Sequence, residues 1–311
     1  MASERISNDV QTIRADINRR KRIDLLFGLI GVAALSLAML TIAALFTDMI
    51  IDGWRRLSPD FFTNFPSRRP GEAGILSAWV GSLLVMLVTA AVAVPLGVAA
   101  GIWLEEYAPK HWITDVIEIN VNNLAGVPSI IYGLLALGLF VYTFNLGQTV
   151  RTAGLTLALL ILPMVIVATR EAIRSIPQMI REGAYALGAT KWQTVQHHIL
   201  PYSMPGILTG VIIGMARAIG ETAPIVTIGA LTFIAFLPPA PVSDVMPYVN
   251  FDWLKAPFTV MPIQIFSWTS RPEAAFQQNA AAAGAVLVAM ALGMNGLAIW
   301  LRFRLRKNIN W

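Results

Sequence analysis

The stretch from Ile180 to Pro224, IREGAYALGATKWQTVQHHILPYSMPGILTGVIIGMARAIGETAP, changes character at Leu200-Pro201. Before that point it is polar, rich in helix formers and interrupted by Gly188. After it comes an apolar helix, predicted from Pro205 to Ile234, with Arg217 and Glu221 in its middle. A guanidinium and a carboxylate four residues apart share one helix face and can pair. In a helix apolar enough to cross a bilayer, that pair must face protein or a water-filled path.

The rest of the chain puts this helix in a bilayer. Of 311 residues, 56% are hydrophobic and only 13% charged, with a mean hydropathy of +0.63. That is too apolar for a soluble domain and reads as an all-α integral membrane protein in contact with lipid. The net charge of +5 and isoelectric point near 9.7 then reflect orientation in the membrane, not nucleic acid. No cysteine is present, which excludes disulfides and thiolate chemistry. His111, His197 and His198 are the only histidines, and the adjacent two point about 100° apart on a helix, so neither a metal site nor a cofactor is expected.

Six spans can be laid out in order. Residues 1–24 carry six Lys/Arg, densest in Arg19-Arg20-Lys21-Arg22, and form a basic cytoplasmic segment. Leu25 to Thr47 is uncharged for 23 residues, longer than a signal-peptide core and without its cleavage pattern, so it is read as a retained anchor. An outer loop over residues 48–72 holds Trp54, Phe61, Phe62 and Phe65, which suit the membrane interface. Ala73 to Leu104 contains the second span, with Pro95 and Gly97 bending its inner end.

After a short inner loop to Glu118, Asn120, Asn122, Asn123, Gly126 and Pro128 spoil the start of the next uncharged stretch as a lipid-facing helix. The third span is therefore placed at Pro128 to Thr143. Thr152 to Thr169 is the fourth, kinked at Pro163, Pro205 to Ile234 the fifth, and Ala274 to Leu301 the sixth. Between the last two, Phe258 to Phe266 is apolar enough to dip into the membrane, and Ala280 to Ala283 offers small residues for helix packing. Arg302, Arg304, Arg306 and Lys307 hold the end of the chain inside. With both termini cytoplasmic, inner segments hold fifteen Lys/Arg against seven in outer ones. The organisation is a segment 1–24, a six-span domain 25–301 with a cytoplasmic loop 170–201, and a tail 302–311.

Within that loop, Ser175-Ile176-Pro177 reads as a helix start with serine as cap, and Gln178 to Leu187 as the helix. Gly188 stops it, and Thr190-Lys191-Trp192-Gln193 has the spacing of a capping box that opens a second helix towards Leu200-Pro201. A short helix presenting Ala184, Tyr185 and Leu187, pinned at both ends to spans, can seat in a partner's groove and pass on rigid-body motion. An amphipathic helix resting on lipid has the same spacing.

Glu182-Gly183-Ala184, three residues, Gly188, and then Leu200-Pro201 resemble the EAA loop of ABC importer permeases, with Gly183 where that pattern has alanine and His198 where isoleucine is common. Gly74-Ile75-Leu76-Ser77-Ala78, Pro95-Leu96-Gly97-Val98-Ala99, Leu104-Glu105-Glu106-Tyr107-Ala108, Gly126 to Gly133 and Arg217-Ala218-Ile219-Gly220-Glu221-Thr222 are similar to the phosphate-specific permeases, the PstA type in particular, over residues 70–305. The resemblance implies the MetI-like six-helix domain of a type I ABC importer in a bacterial inner membrane. It implies a PstC-like permease subunit as the other half of a heterodimer and a PstS-like phosphate-binding protein outside. It also implies a PstB-like ATPase dimer bound at Glu182, Gly183, Ala184, Tyr185, Leu187 and Gly188. No lysine here follows a glycine, so the chain has no Walker A motif and ATP hydrolysis falls to the partner.

In a phosphate pathway, the Arg217 fork would meet phosphate oxygens. Glu221 would hold Arg217, keep anion binding weak enough for release, and accept a hydrogen bond from a protonated phosphate, which sulfate at neutral pH lacks. Tyr132, Ser129 and Thr222, with Asn122 and Asn123, are further lining candidates, for which interhelical hydrogen bonding is the plainer role. Sealed from any cavity, the pair would only fix helix packing. A permease for sulfate, molybdate or an organic solute shares the loop with another cargo. An intramembrane enzyme would need a convergent nucleophile and base, and a lone channel would conduct by itself.

Overall fold

The computed structural model of the protein describes residues 2–242 and 248–306, and its described elements are helices joined by turns and one long irregular segment. Helix α1 (Ala2–Gly53) forms a unit by itself up to Asp52. From Leu25 to Leu45 its large apolar side chains are exposed, the condition of a helix whose solvent is lipid.

The second unit begins at Gly53. Pro59 opens the short α2 (Pro59–Thr63), which leads towards α3 (Leu76–Ile102). Phe61, expected at the membrane interface, is instead fully buried and clusters with Ile75, Trp268 and Phe276. The Arg56 guanidinium lies 5.6 Å from its ring centroid and bonds Asn279 Oδ1 at 2.8 Å and the Ala73 carbonyl at 2.7 Å. This loop is therefore pinned into the bundle, because a desolvated guanidinium needs those partners.

Helix α3 runs through Pro95 and widens into a π-turn, Trp103–Tyr107. Helix α4 (Trp112–Leu124) starts ahead of the uncharged stretch and carries Asp115 and Glu118, so the inner loop is shorter than expected. The chain then bends by 106° at Gly126 and Pro128 into α5 (Ser129–Ala136) and its π-helical continuation Leu137–Thr143. Helix α6 (Val150–Arg174) follows, with Pro163 inside it.

Helices α3 and α6 form the most extensively packed pair. Gly154 lies on Val88, Gly97 on Val165 and Gly101 on Thr169, so contact positions rise together and the two helices run parallel. The segment between them must therefore bring the chain back to its starting end. That makes α5 and its continuation a crossing, although they fall short of the roughly 20 residues of a straight span.

Helices α7 (Gln178–Ala186) and α8 (Lys191–Thr194) come next, and a π-turn, Val195–Ile199, joins α8 without a break to α9 (Leu200–Gly220). On α9, Gly206 lies on Ala172, Gly210 on Ala168 and Gly214 beside Ile161. Partner numbers fall as glycine numbers rise, so α9 is antiparallel to α6, and a glycine every fourth residue lets the two backbones close up.

Helix α9 ends at Gly220, far short of Ile234. Glu221 is extended, with ψ 120°, and a separate short helix, α10 (Ala223–Thr227), begins with Pro224 in its first turn. The proline has no N–H to continue the ladder, and it follows a glycine that weakens the helix end. Arg217 and Glu221 thus sit at the end of the fifth span, which runs from Lys191 to Gly220, and not in its middle.

Residues Phe258 to Val260 sink among the helices: the Thr259 carbonyl lies on Gly81, and Met261 N donates to Ser82 Oγ at 2.8 Å. Non-helical backbone at this depth is satisfied by protein, as lipid requires. Helices α11 (Met261–Thr269) and α12 (Ala274–Arg306) complete the bundle. Ala280, Ala282 and Ala283 are buried, and a side chain on Gly53 would collide with the Ala282 backbone, so the alanine run serves close packing as expected. Among the described residues five helices are long and apolar enough to cross a membrane, and the bent α4–α5 pair makes a sixth. Lys307 and the rest of the expected tail to residue 311 lie outside the described residues.

Replacing Gly154 with leucine should force Val88 away and cost about 1–3 kcal/mol. Thermal unfolding in detergent should show a lower midpoint than wild type, whereas Gly138→Ala, with open space at its Cβ, should not; equal midpoints would contradict the close approach of α3 and α6.

Candidate functional site

Pro177, not Ser175, precedes the first turn of α7. Ser175 instead closes α6, its hydroxyl donating to the Ala172 carbonyl at 2.8 Å. Gly188 has φ +82°, the left-handed region that ends a helix at little cost only for glycine. Thr190 Oγ1 accepts from Gln193 N at 3.3 Å while Gln193 Oε1 accepts from Thr190 N at 2.8 Å, which completes the expected capping box.

Helix α7 exposes Glu182, Gly183, Tyr185, Leu187 and Gly188. Leu187 is 92% exposed, a large apolar side chain with nothing of this chain over it. Ala184, expected on the presented face, is buried, because it shares a face with Ile180, four residues earlier. Ile180 packs on Ile173, Ile176, Val195 and Ile199, an apolar joint between α7, the end of α6 and the start of the fifth span.

Beneath α7 lies an ionic cluster that sequence reasoning missed. Arg170, with its side chain only 5% exposed, reaches Glu118 at 2.5 Å and Glu105 at 3.5 Å. Arg174, one turn further, meets Glu105 at 2.9 Å and Glu118 at 3.3 Å. Arg181 of α7 bonds Glu106 through Nε at 3.0 Å and Nη2 at 2.7 Å. The available signal was the i, i+4 spacing of Arg170 and Arg174, opposite two consecutive acids. Glu105, Glu106, Lys110, Arg174, Gln178 and Arg181 line a polar crevice of about 550 Å³ at this end of the bundle.

At the far end of α9, Arg217 Nε donates to Glu221 Oε1 at 3.2 Å. The guanidinium lies in the last turn, where the helix dipole favours a cation. Glu221 lines a small crevice with Ser82, Met86, Leu157, Ala218 and Pro262, which sets the pair well inside the length of α3 and α6. Even there, the Arg217 side chain is 36% exposed and that of Glu221 19%.

Tyr132 is buried in the same apolar cluster as Ala218 and Ile225. Its hydroxyl donates to the Leu124 carbonyl at 2.7 Å, tying α5 to α4 across the bend. Thr222 precedes α10 without a side-chain cap bond, next to Glu221. Ser129 opens α5 one turn before Tyr132, half-buried, whereas Asn122 and Asn123 are exposed on α4. Among the described residues no three His, Asp or Glu side chains gather to hold a metal.

The bundle thus presents a loop helix at one end and, just past the end of its fifth span, an ion pair set among its helices. Residues 93–307 match the family described as the binding-protein-dependent transport system inner membrane component, and the chain belongs to it: a multi-pass transport component. The probable ABC transporter permease protein YqgI of Bacillus subtilis (strain 168) is 31% identical over 298 residues, 94% of this chain and 99% of that protein. The phosphate transport system permease protein PstA of Yersinia pestis is 34% identical over 248 residues, 77% of this chain and 75% of that protein. Among solved structures, the MetNI methionine ABC transporter in an inward-facing conformation matches with a TM-score of 0.56 at 17% identity, over 73% of this chain and 93% of that one. That likeness carries the MetI-like fold and nothing of the cargo.

Replacing Thr190 with valine removes one half of the capping box at a cost of about 1 kcal/mol. The Gln193 amide should then exchange with solvent roughly fivefold faster, and unchanged exchange would show that the cap does not hold the start of α8.

Proposed function

We propose that the protein is the PstA-type permease of an ATP-driven importer of inorganic phosphate. It encloses the pathway with a PstC-like subunit, receives phosphate from a PstS-like binding protein, and is driven by a PstB-like ATPase dimer seated on α7. Helix α7 and both chain termini then lie in the cytoplasm, consistent with the excess of Lys/Arg on that side. The segments 1–24 and 302–311 are the two basic tails of a six-span domain.

The observation that carries this reading is Arg217, a permanent cation left 36% exposed deep in an apolar bundle. Facing hydrocarbon, it would cost about 2.5–3.5 kcal/mol by insertion scales. Its open side is therefore covered by protein or water, which is what a pathway shared with a second subunit supplies. Glu221 engages Nε, so the two Nη groups remain to meet an anion. A carboxylate beside the cation accepts a hydrogen bond from the hydroxyl of a protonated phosphate, which offsets its repulsion of the anion; fully ionised sulfate has no such donor, which favours phosphate over the sulfate or molybdate alternative. The similarity to a phosphate permease supports the same cargo.

The rod from Lys191 to Gly220 is unbroken, beginning beside α7 and ending one residue before Glu221. Movement of the loop on ATP binding thus reaches the anion-binding pair through one rigid element, as alternating access requires.

Arg217→Gln should lower phosphate uptake by cells about tenfold to a hundredfold, the worth of a charge-assisted contact, at unchanged membrane level; normal uptake would remove the pathway role. Deleting the chain should abolish phosphate uptake and spare sulfate uptake, and the reverse pattern would reassign the cargo. In the purified complex, Gly188→Asp should insert normally yet lose stimulation of ATP hydrolysis by phosphate-loaded binding protein. Full stimulation would refute α7 as the contact with the ATPase.

A further inference from the structure

The π-turn Trp103–Tyr107 at the end of α3 is gripped from three sides. Glu105 is held by Arg170 and Arg174 of α6. Its neighbour Glu106, only 6% exposed, is held by Arg181 of α7, itself 15% exposed. Tyr107, the next residue, has the Lys191 ammonium of α8 lying 5.1 Å from its ring centroid. A π-turn is wider than an α-turn and is found most often where function demands it. Here it carries three consecutive side chains to three different helices.

Arg181 is the centre of this arrangement. Its Nη1 donates to the Ile176 carbonyl at 3.0 Å and its Nη2 to the Ile173 carbonyl at 3.1 Å, while Nε and Nη2 both reach Glu106. One guanidinium thus binds a carbonyl in the last turn of α6, another just past its end, and the carboxylate of the π-turn that ends α3, using the planar fork that lysine lacks. A nearly buried ion pair of this kind contributes little net stability, because desolvation offsets attraction. Its geometry, in contrast, is stiff.

We propose that Arg181 and Glu106 are positioning residues that carry the movement of α7 into α3, so that the loop drives two spans and not only the fifth. The inference rests on α7 as the contact with the ATPase. Helix α3 forms a wall of the Glu221 crevice through Ser82 and Met86, so displacing it reshapes the proposed anion site independently of α9. The α9 route runs through the apolar joint of Ile180, Val195 and Ile199, and the α3 route through the ionic one. Driven together, the two walls move in step.

The test uses the full transporter reconstituted in liposomes, with phosphate uptake and ATP hydrolysis measured on the same vesicles. Glu106→Gln and Arg181→Gln should each assemble and hydrolyse ATP, with uptake per ATP reduced about tenfold, as loss of a charge-assisted contact implies. Because the chain has no cysteine, Glu106→Cys with Arg181→Cys can be joined by a short reducible bifunctional thiol reagent. The unlinked double variant should be uncoupled, the linked one should recover most of its uptake per ATP, and reduction should abolish the recovery. A purely structural role would move yield and unfolding midpoint without this reversible change. An unchanged ratio in both single variants, or no recovery on linking, overturns the proposal. If the Gly188→Asp variant remains fully stimulated, the contact reading fails first; if it uncouples and these do not, only the α3 route fails.

Discussion

The packing of this bundle depends on glycine backbone meeting small side chains across α6. In lipid, apolar side chains gain nothing by leaving one hydrocarbon for another, so helices associate through close van der Waals packing. Gly154, Gly97 and Gly101 bring α3 and α6 together on one side, and Gly206 and Gly210 bring α9 onto α6 on the other. The parallel course of α3 and α6 makes the weakly formed α5 segment a crossing. The antiparallel course of α9 brings Arg217 back to the level of Leu157. With α6 fixed, the ends of its two neighbours converge beside Ile173 and Arg174, where α7 is seated.

Charge is distributed by the same solvent logic. At the α7 end, Arg170, Arg174 and Arg181 are matched by Glu105, Glu106 and Glu118, a near-neutral set that tolerates burial because each cation has a carboxylate within 4 Å. Arg217 has one carboxylate partner and an open flank. A matched network holds shape, whereas the open flank of Arg217 is the feature on which the proposed anion pathway rests.

The number and order of spans were legible because uncharged runs of membrane length leave few alternatives. The stop at Gly188 and the capping box at Thr190 were legible because they are local chemistry. The end of α9 was not: Pro205 to Ile234 is uniformly apolar apart from the pair, and hydropathy cannot separate a straight span from a helix that breaks at Gly220 and resumes at Ala223. Pro224 was the missed signal. The inward turn of Ala184 and the burial of Phe61 escaped for a different reason, since each depends on what lies opposite in the fold, Ile180's cluster in one case and Trp268 in the other. The ionic cluster joins residues as much as 75 positions apart, beyond the reach of any local pattern. The pairing of Arg217 with Glu221 was legible from spacing, whereas its position at a helix end and its partial exposure required the fold.

The third crossing sets a condition on the membrane itself. Ser129 to Thr143 at helical rise reaches at most about 22 Å, less than the roughly 30 Å hydrocarbon thickness of an ordinary bilayer. Its outward residues Ile130, Ile131, Leu134 and Leu135 are apolar and exposed, and a stretch this short is matched to a membrane by bilayer thinning or by association with another chain. Wherever lipid and not a partner subunit covers that face, bilayer thickness bears on how the third crossing is held.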